Sequence, residues 1–195
     1  MREVSHRERD LPTAVIGKLL KIASENKEVI SLSVGEPDFD APKPIIEEVK
    51  KVISKYKKNR VTHYTAPEGI PALRKAIAHK LEKKNNIKVS PENVLVTAGS
   101  QEALFAAFAS TLDPSQEVVV PNPGYLAYIP AIELLSAVPR YHTLTEQEHF
   151  EVNPDRLKKA ITKKTRVLML NTPSNPTGTV IRKKVLEMVK EPRPF

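Results

Sequence analysis

The sequence contains no cysteine and no tryptophan. Without thiols there is no disulfide framework, no thiolate metal site and no cysteine nucleophile, and a reducing compartment, the cytoplasm, is the expected location. Nowhere do about eighteen apolar residues run together, so no segment reads as a membrane span. The charged start from Met1 to Asp10 and the interruptions at Pro12, Gly17 and Lys18 leave no apolar run of signal-peptide length. Glycine is scarce, at 6 of 195 residues, beside 40% hydrophobic and 28% charged residues. That balance excludes collagen-like, low-complexity and generally disordered chains, and the length suits one ample domain or one domain plus part of a second.

Acid is missing from Lys50–Arg60, where six basic residues meet no carboxylate, and 31 Lys and Arg against 23 Asp and Glu leave the whole chain at +8. A nucleic-acid patch is one reading. The other is a solvated helix face, because Ile45, Ile46, Val49, Val52, Ile53 and Tyr56 form an apolar stripe at helical spacing with the lysines opposite. No interleaved aromatics and no nucleic-acid module accompany the charge, so no nucleic-acid partner is expected.

Proline, with 17 residues, supplies the punctuation. Helical patterns are predicted over Thr13–Glu25, Pro44–Tyr56 and Ile70–Lys84, the last with Ile70, Leu73, Ile77 and Leu81 on one side. Val94–Thr97 reads as a short buried strand, Ala98-Gly99-Ser100 as a tight turn, and Glu102–Thr111, apolar almost all round, as a buried helix. Strands are then predicted at Glu117–Val120, Val138–Leu144 and Arg166–Leu170, with helices at Gly124–Leu135, from Asn153-Pro154-Asp155 to about Thr162, and at Lys183–Lys190. Strands alternating with helices imply an α/β fold with a parallel or mixed sheet covered on both faces. Ligands in such sheets bind beyond the carboxyl ends of the strands.

Three loops fall at those ends. Gly99 and Ser100 open a helix whose free N–H groups and dipole favour an anion such as a phosphate; an ordinary helix cap is the alternative. Tyr125 follows Pro121, Pro123 and Gly124, where its ring can stack on a flat ligand or simply pack. Asn175 lies between Pro173 and Pro176 and can donate an amide hydrogen bond or serve a turn. No GxGxxG, GxxxxGK[ST] or GxSxG pattern occurs. The five histidines show no HExxH or paired spacing, so no metal site is expected. Glu36, Asp38 and Asp40 read as parts of a Pro-containing turn rather than as an acid/base pair.

Taken together, Ser31–Phe39 (SLSVGEPDF), Tyr64-Thr65 with Gly69 and Leu73–Ile77 (LRKAI), Val96–Leu104 (VTAGSQEAL), Pro121–Tyr125 (PNPGY) and Asn171–Gly178 (NTPSNPTG) resemble the class I/II aminotransferases. The resemblance runs in family order over residues 5 to about 189 and is nearest the aspartate and aromatic aminotransferases of bacteria and archaea. It implies a three-layer fold type I large domain, with an incomplete, mostly parallel sheet and helices on both faces. Residues 1–40 would form an N-terminal segment belonging to the small domain or dimer arm, and 41–195 the N-terminal half of the cofactor-binding large domain.

The resemblance also implies pyridoxal 5′-phosphate as cofactor. Gly99, Ser100 and Gln101 match the turn that holds its phosphate, Tyr125 the aromatic stacked on its ring, and Asn175 the amide that meets its phenolic oxygen and approaches the substrate carboxylate. Gly35 matches a backbone contact to that carboxylate. Tyr64 matches a hydroxyl reaching the phosphate of a neighbouring subunit, which implies a homodimer. The asparagine–proline bonds before Pro123 and Pro176 are cis in the family.

The implied reaction moves an amino group between an amino acid and a 2-oxo acid. The family's Schiff-base lysine, which anchors the cofactor and moves the proton, falls beyond residue 195. Ser54-Lys55, on the basic helix, is no substitute for it, and Glu191-Pro192-Arg193-Pro194-Phe195 does not continue the family's helix. The chain therefore reads as the N-terminal half of an aminotransferase, truncated or frameshifted near Val189, whose activity requires a longer or complementing chain. The alternative is a noncatalytic half-domain, or a degraded gene product, that binds a complementing partner chain.

Overall fold

The structure is a computed structural model that describes residues 15–26, 28–32, 35, 37–59 and 61–190. The charged start Met1–Asp10, Thr13, residues Ser33, Val34 and Glu36 of the first motif, and Glu191–Phe195 lie outside the described residues. The backbone divides between Val96 and Thr97 into two units.

The first unit is helical. Helix α1 spans Val15–Glu25, α2 Lys43–Ser54, the single turn α3 Tyr56–Asn59, and α4 Pro71–Asn85. Proline at the first turn of α2 and of α4 supplies a preset φ where no hydrogen-bond donor is needed, and Asn86 closes α4 in the left-handed conformation, at φ 55°. The apolar stripe expected on α2 is present and largely open among the described residues: Ile45, Ile46, Val49 and Ile53 are exposed, Val52 is half-buried, and no residue of α2 is fully buried.

Val94–Thr97 corrects the expected first strand. It is assigned no strand: beyond the local bonds Val94 N to Pro91 O and Gly99 N to Thr97 O, its tie to other backbone is the single bond from Val96 N to Glu68 O at 3.0 Å. A strand exists only as a ladder with a neighbour, and apolarity in the sequence cannot supply one.

In the second unit, helix α5 (Ser100–Thr111) is followed by strand β1 (Glu117–Asn122), α6 (Tyr128–Leu134), β2 (Val138–Thr143), α7 (Pro154–Ala160), β3 (Thr165–Leu168) and α8 (Lys183–Lys190). The sheet order is β2-β1-β3 and both pairings are parallel. β1 is central and buried on both faces from Val118 to Pro121, which is why that stretch is an unbroken apolar run rather than an alternation. Val118 and Val120 pack beneath α5 and α6 with Phe108, Leu112, Tyr128 and Ile132. Val119 points the other way, to Leu157, Ala160, Ile181 and Val185 of the α7 and α8 side. Period-two alternation thus makes three layers from one strand.

Two helices differ from expectation. α5 buries only Phe108 completely, while Phe105, three positions before it, stays exposed, so the helix has one covered face and not two. α6 starts at Tyr128 rather than Gly124, because residues 123–127 form the loop leaving β1. α7 begins as the sequence predicts: the Asn153 side chain accepts from the N–H groups of Asp155 and Arg156, at 3.0 and 3.2 Å, with Pro154 at the first helical position.

Candidate functional site

Gly99 is the N-cap of α5 at φ 87°, a conformation that favours glycine, and a Cβ placed there would meet nothing within 4 Å. The turn is held from both sides. Thr97 Oγ1 donates to Gly99 O and Gly99 N donates to Thr97 O, each at 2.9 Å, while the Glu102 carboxylate accepts from Ala98 N. Glu102 was not singled out in the sequence, although its place three residues after the cap is the spacing of a capping box. Ser100 and Gln101 are exposed. The donors available at this helix end are uncharged N–H and O–H groups on open backbone, a set suited to a phosphate.

Tyr125 belongs to the same site. Gln101 Nε2 donates to Tyr125 Oη at 3.4 Å, which joins the α5 turn to the loop after β1. The Tyr125 ring stands edge-on to Tyr128, with centroids 5.5 Å apart and planes at 87°, and burial, with Tyr125 close by, raises the Tyr128 phenol above its usual pKa. Gly124 makes this placement possible: a Cβ there would lie 2.4 Å from Pro121 O, so the chain passes too close for any side chain.

Asn175 lies in a turn of the loop after β3 and is exposed, with no side-chain hydrogen bond to another described residue. That loop is braced by Ser174 N to Thr179 O at 2.9 Å, Gly178 N to Ser174 O at 2.7 Å and Ile181 N to Thr172 Oγ1 at 3.0 Å. The bonds Asn122-Pro123 and Asn175-Pro176 are cis, as the resemblance implied, and so is Thr172-Pro173, which was not foreseen. The structure brings together Gly99, Ser100, Gln101 and Tyr125, while Gly35 and Tyr64 lie in the other unit, both exposed.

His142 was left without a role by the sequence. It is the one polar residue buried among the described residues, at 2% exposure, and burial, with the Arg156 guanidinium second, lowers its pKa from 6.5 to about 4. Among the described residues no group of His, Asp or Glu side chains could hold a metal ion, and no helix is long and apolar enough to cross a membrane.

A parallel sheet covered on both faces, with a helix N-terminus and an aromatic ring meeting beyond its strand ends, defines an α/β protein of the kind that places small-molecule sites at those ends. The family model described as aminotransferase class I and II matches residues 27–191, and the chain belongs to that family. It is 41% identical to the aspartate aminotransferase of Pyrococcus abyssi over 177 residues, which are 90% of this chain and 44% of that protein. It is 36% identical to the aspartate/prephenate aminotransferase of Thermus thermophilus over 186 residues, 95% of this chain and 47% of that one. The solved structure of aspartate aminotransferase from Thermus thermophilus with maleate matches at a TM-score of 0.89 and 35% identity, across 96% of this chain and 49% of that one. The fold is therefore that of the fold type I aminotransferases, and the chain spans about half the length of the relatives it matches.

Proposed function

We propose that this chain supplies the cofactor-phosphate and ring-binding part of a pyridoxal 5′-phosphate-dependent aminotransferase, which moves an amino group between an amino acid and a 2-oxo acid. Gly99, Ser100 and Gln101 hold the phosphate through backbone N–H groups and side-chain donors. Tyr125 stacks on the ring, and Asn175 presents its amide to the phenolic oxygen and to the substrate carboxylate. Gly35 offers backbone to the same carboxylate, and Tyr64 reaches the phosphate held by a second subunit, so that the working form is a homodimer. The family's division of labour assigns residues 1–40 to an arm and small-domain segment and 41–195 to the large domain.

When bound, the cofactor supplies an electron sink for bond breaking at the amino acid's α-carbon. What this chain's residues do is grip the phosphate, fix the ring plane and orient the carboxylate. The covalent anchor and proton carrier, a lysine in the family, has no match among these 195 residues, and a complementing C-terminal half is the proposed source. The observation that most supports the reading is the Gln101 to Tyr125 contact, because it joins the anion-binding turn and the stacking ring across 24 positions of sequence.

The test is a binding titration of the purified chain with pyridoxal phosphate and with pyridoxal, followed by a turnover assay with 2-oxoglutarate and a panel of amino acids. Saturable binding of the phosphorylated compound alone, weakened about tenfold in Tyr125→Ala, is expected. Turnover should not exceed that of free cofactor. Equal binding of both compounds, or none of either, refutes the site, and turnover well above free cofactor refutes the assignment of the lysine's role to another chain.

A further inference from the structure

We infer that His142 is a positioning residue which, through one buried water molecule, ties the sheet to the loop carrying Asn175. The inference rests on the reading of Asn175 given above. His142 sits at the carboxyl end of β2, opposite Pro121 of β1 in the parallel register. Its Nδ1 is buried and has no hydrogen-bond partner.

Beside it is a cavity of about 10 Å³, whose lining includes His142 on the sheet side and Asn171, Ser174 and Thr179 on the loop side. That volume admits a single water. Leu144 and Ile181 also line it, and a dry apolar wall would leave the imidazole nitrogen unpaired, which native interiors avoid.

The partners for such a water are in place. Neither the Ser174 hydroxyl nor the Asn171 amide makes a hydrogen bond to another described residue, and both line the cavity. Water bound there would lie among residues that carry three unpartnered polar side chains, of which His142 Nδ1 is the buried one. The loop's own bonds brace it internally, and Thr179 Oγ1 reaches His149 O at 3.4 Å. Among the described residues no direct hydrogen bond joins β2 to residues 171–179, so the bridging water is the polar link between the strand and the segment that presents Asn175.

The experiment uses the full chain with His142→Leu, His142→Asn and Ser174→Ala, read by a high-resolution crystal structure, thermal unfolding and pyridoxal phosphate titration. The wild-type crystal should show water within hydrogen-bond distance of Nδ1. His142→Leu should weaken cofactor binding about fivefold, and His142→Asn, which keeps a polar atom close to the Nδ1 position, should restore it. The effects of His142→Leu and Ser174→Ala on unfolding should be strongly non-additive, because both remove the same bridge. A dry cavity, additive effects, or wild-type affinity in His142→Leu overturns the inference. If the wild-type chain binds no pyridoxal phosphate, the reading of the site fails, and the crystal structure together with the unfolding cycle still decides whether His142 anchors the loop through water.

Discussion

His142 couples stability to pH, with a sign its surroundings determine. Burial and then the Arg156 guanidinium hold its folded pKa at about 4, against 6.5 for a free imidazole. Arg156 is itself ion-paired with Glu148. The unfolded chain takes up a proton as pH falls below 6.5 and the folded chain does not, so His142 leaves stability intact above 6.5 and removes it progressively as pH falls toward 4. Full titration approaches about 3 kcal/mol. Urea midpoints measured between pH 7 and pH 4.5 should fall with acidification, and the fall should be shallower in His142→Leu. At Gly124 the constraint is steric. Gly124→Ala must displace the Pro121 carbonyl or the Tyr125 backbone, costing ~1–3 kcal/mol and weakening cofactor binding more than it lowers the melting temperature of the chain.

At the scale of elements, local chemistry decides where helices start and tertiary packing decides how much of them is covered. The Asn153 side chain satisfies two otherwise free N–H groups of α7. Asn153→Ala should therefore cost ~1 kcal/mol in chemical denaturation, whereas Asn153→Asp should nearly preserve stability. The cap and its proline are adjacent in sequence, and α7 was readable for that reason. α8 was placed at its observed bounds, and β1, β2 and β3 each lie within two residues of the expected strands. The misjudged elements are those whose state depends on a distant surface. α5 looks buried all round from its composition, yet only the side meeting β1 and α6 is covered.

The whole molecule presents unusual apolar exposure. Ile30 and Leu32 are 88% and 94% exposed, Phe39 is 77% exposed, and the α2 stripe is open. β2 and β3 each carry one unpaired edge among the described residues. Surfaces and edges of this kind favour association. Sedimentation velocity should find the chain self-associated at micromolar concentration, shifting toward smaller species when Ile45→Lys and Ile53→Lys are combined. A compact monomer at all concentrations would contradict this.

The loops that carry the candidate residues could be read along the chain because they are local motifs: a glycine before a helix, an aromatic after Pro-Asn-Pro-Gly, an asparagine between prolines. Turn chemistry and cap chemistry act over a few residues, so the order of residues is enough to place Gly99 and Ser100 at the start of a helix, and Tyr125 and Asn175 in the loops after β1 and β3. Four features needed the fold. Gln101 meets Tyr125 only because β1 returns the chain to the α5 turn, and the Glu102 carboxylate closes on Ala98 only once that helix has formed. Val94–Thr97 is no strand, since pairing belongs to two segments and never to one. His142, one of several polar residues in β2, acquires its unpaired nitrogen from what packs around it, because desolvation is a property of the surroundings and not of the residue.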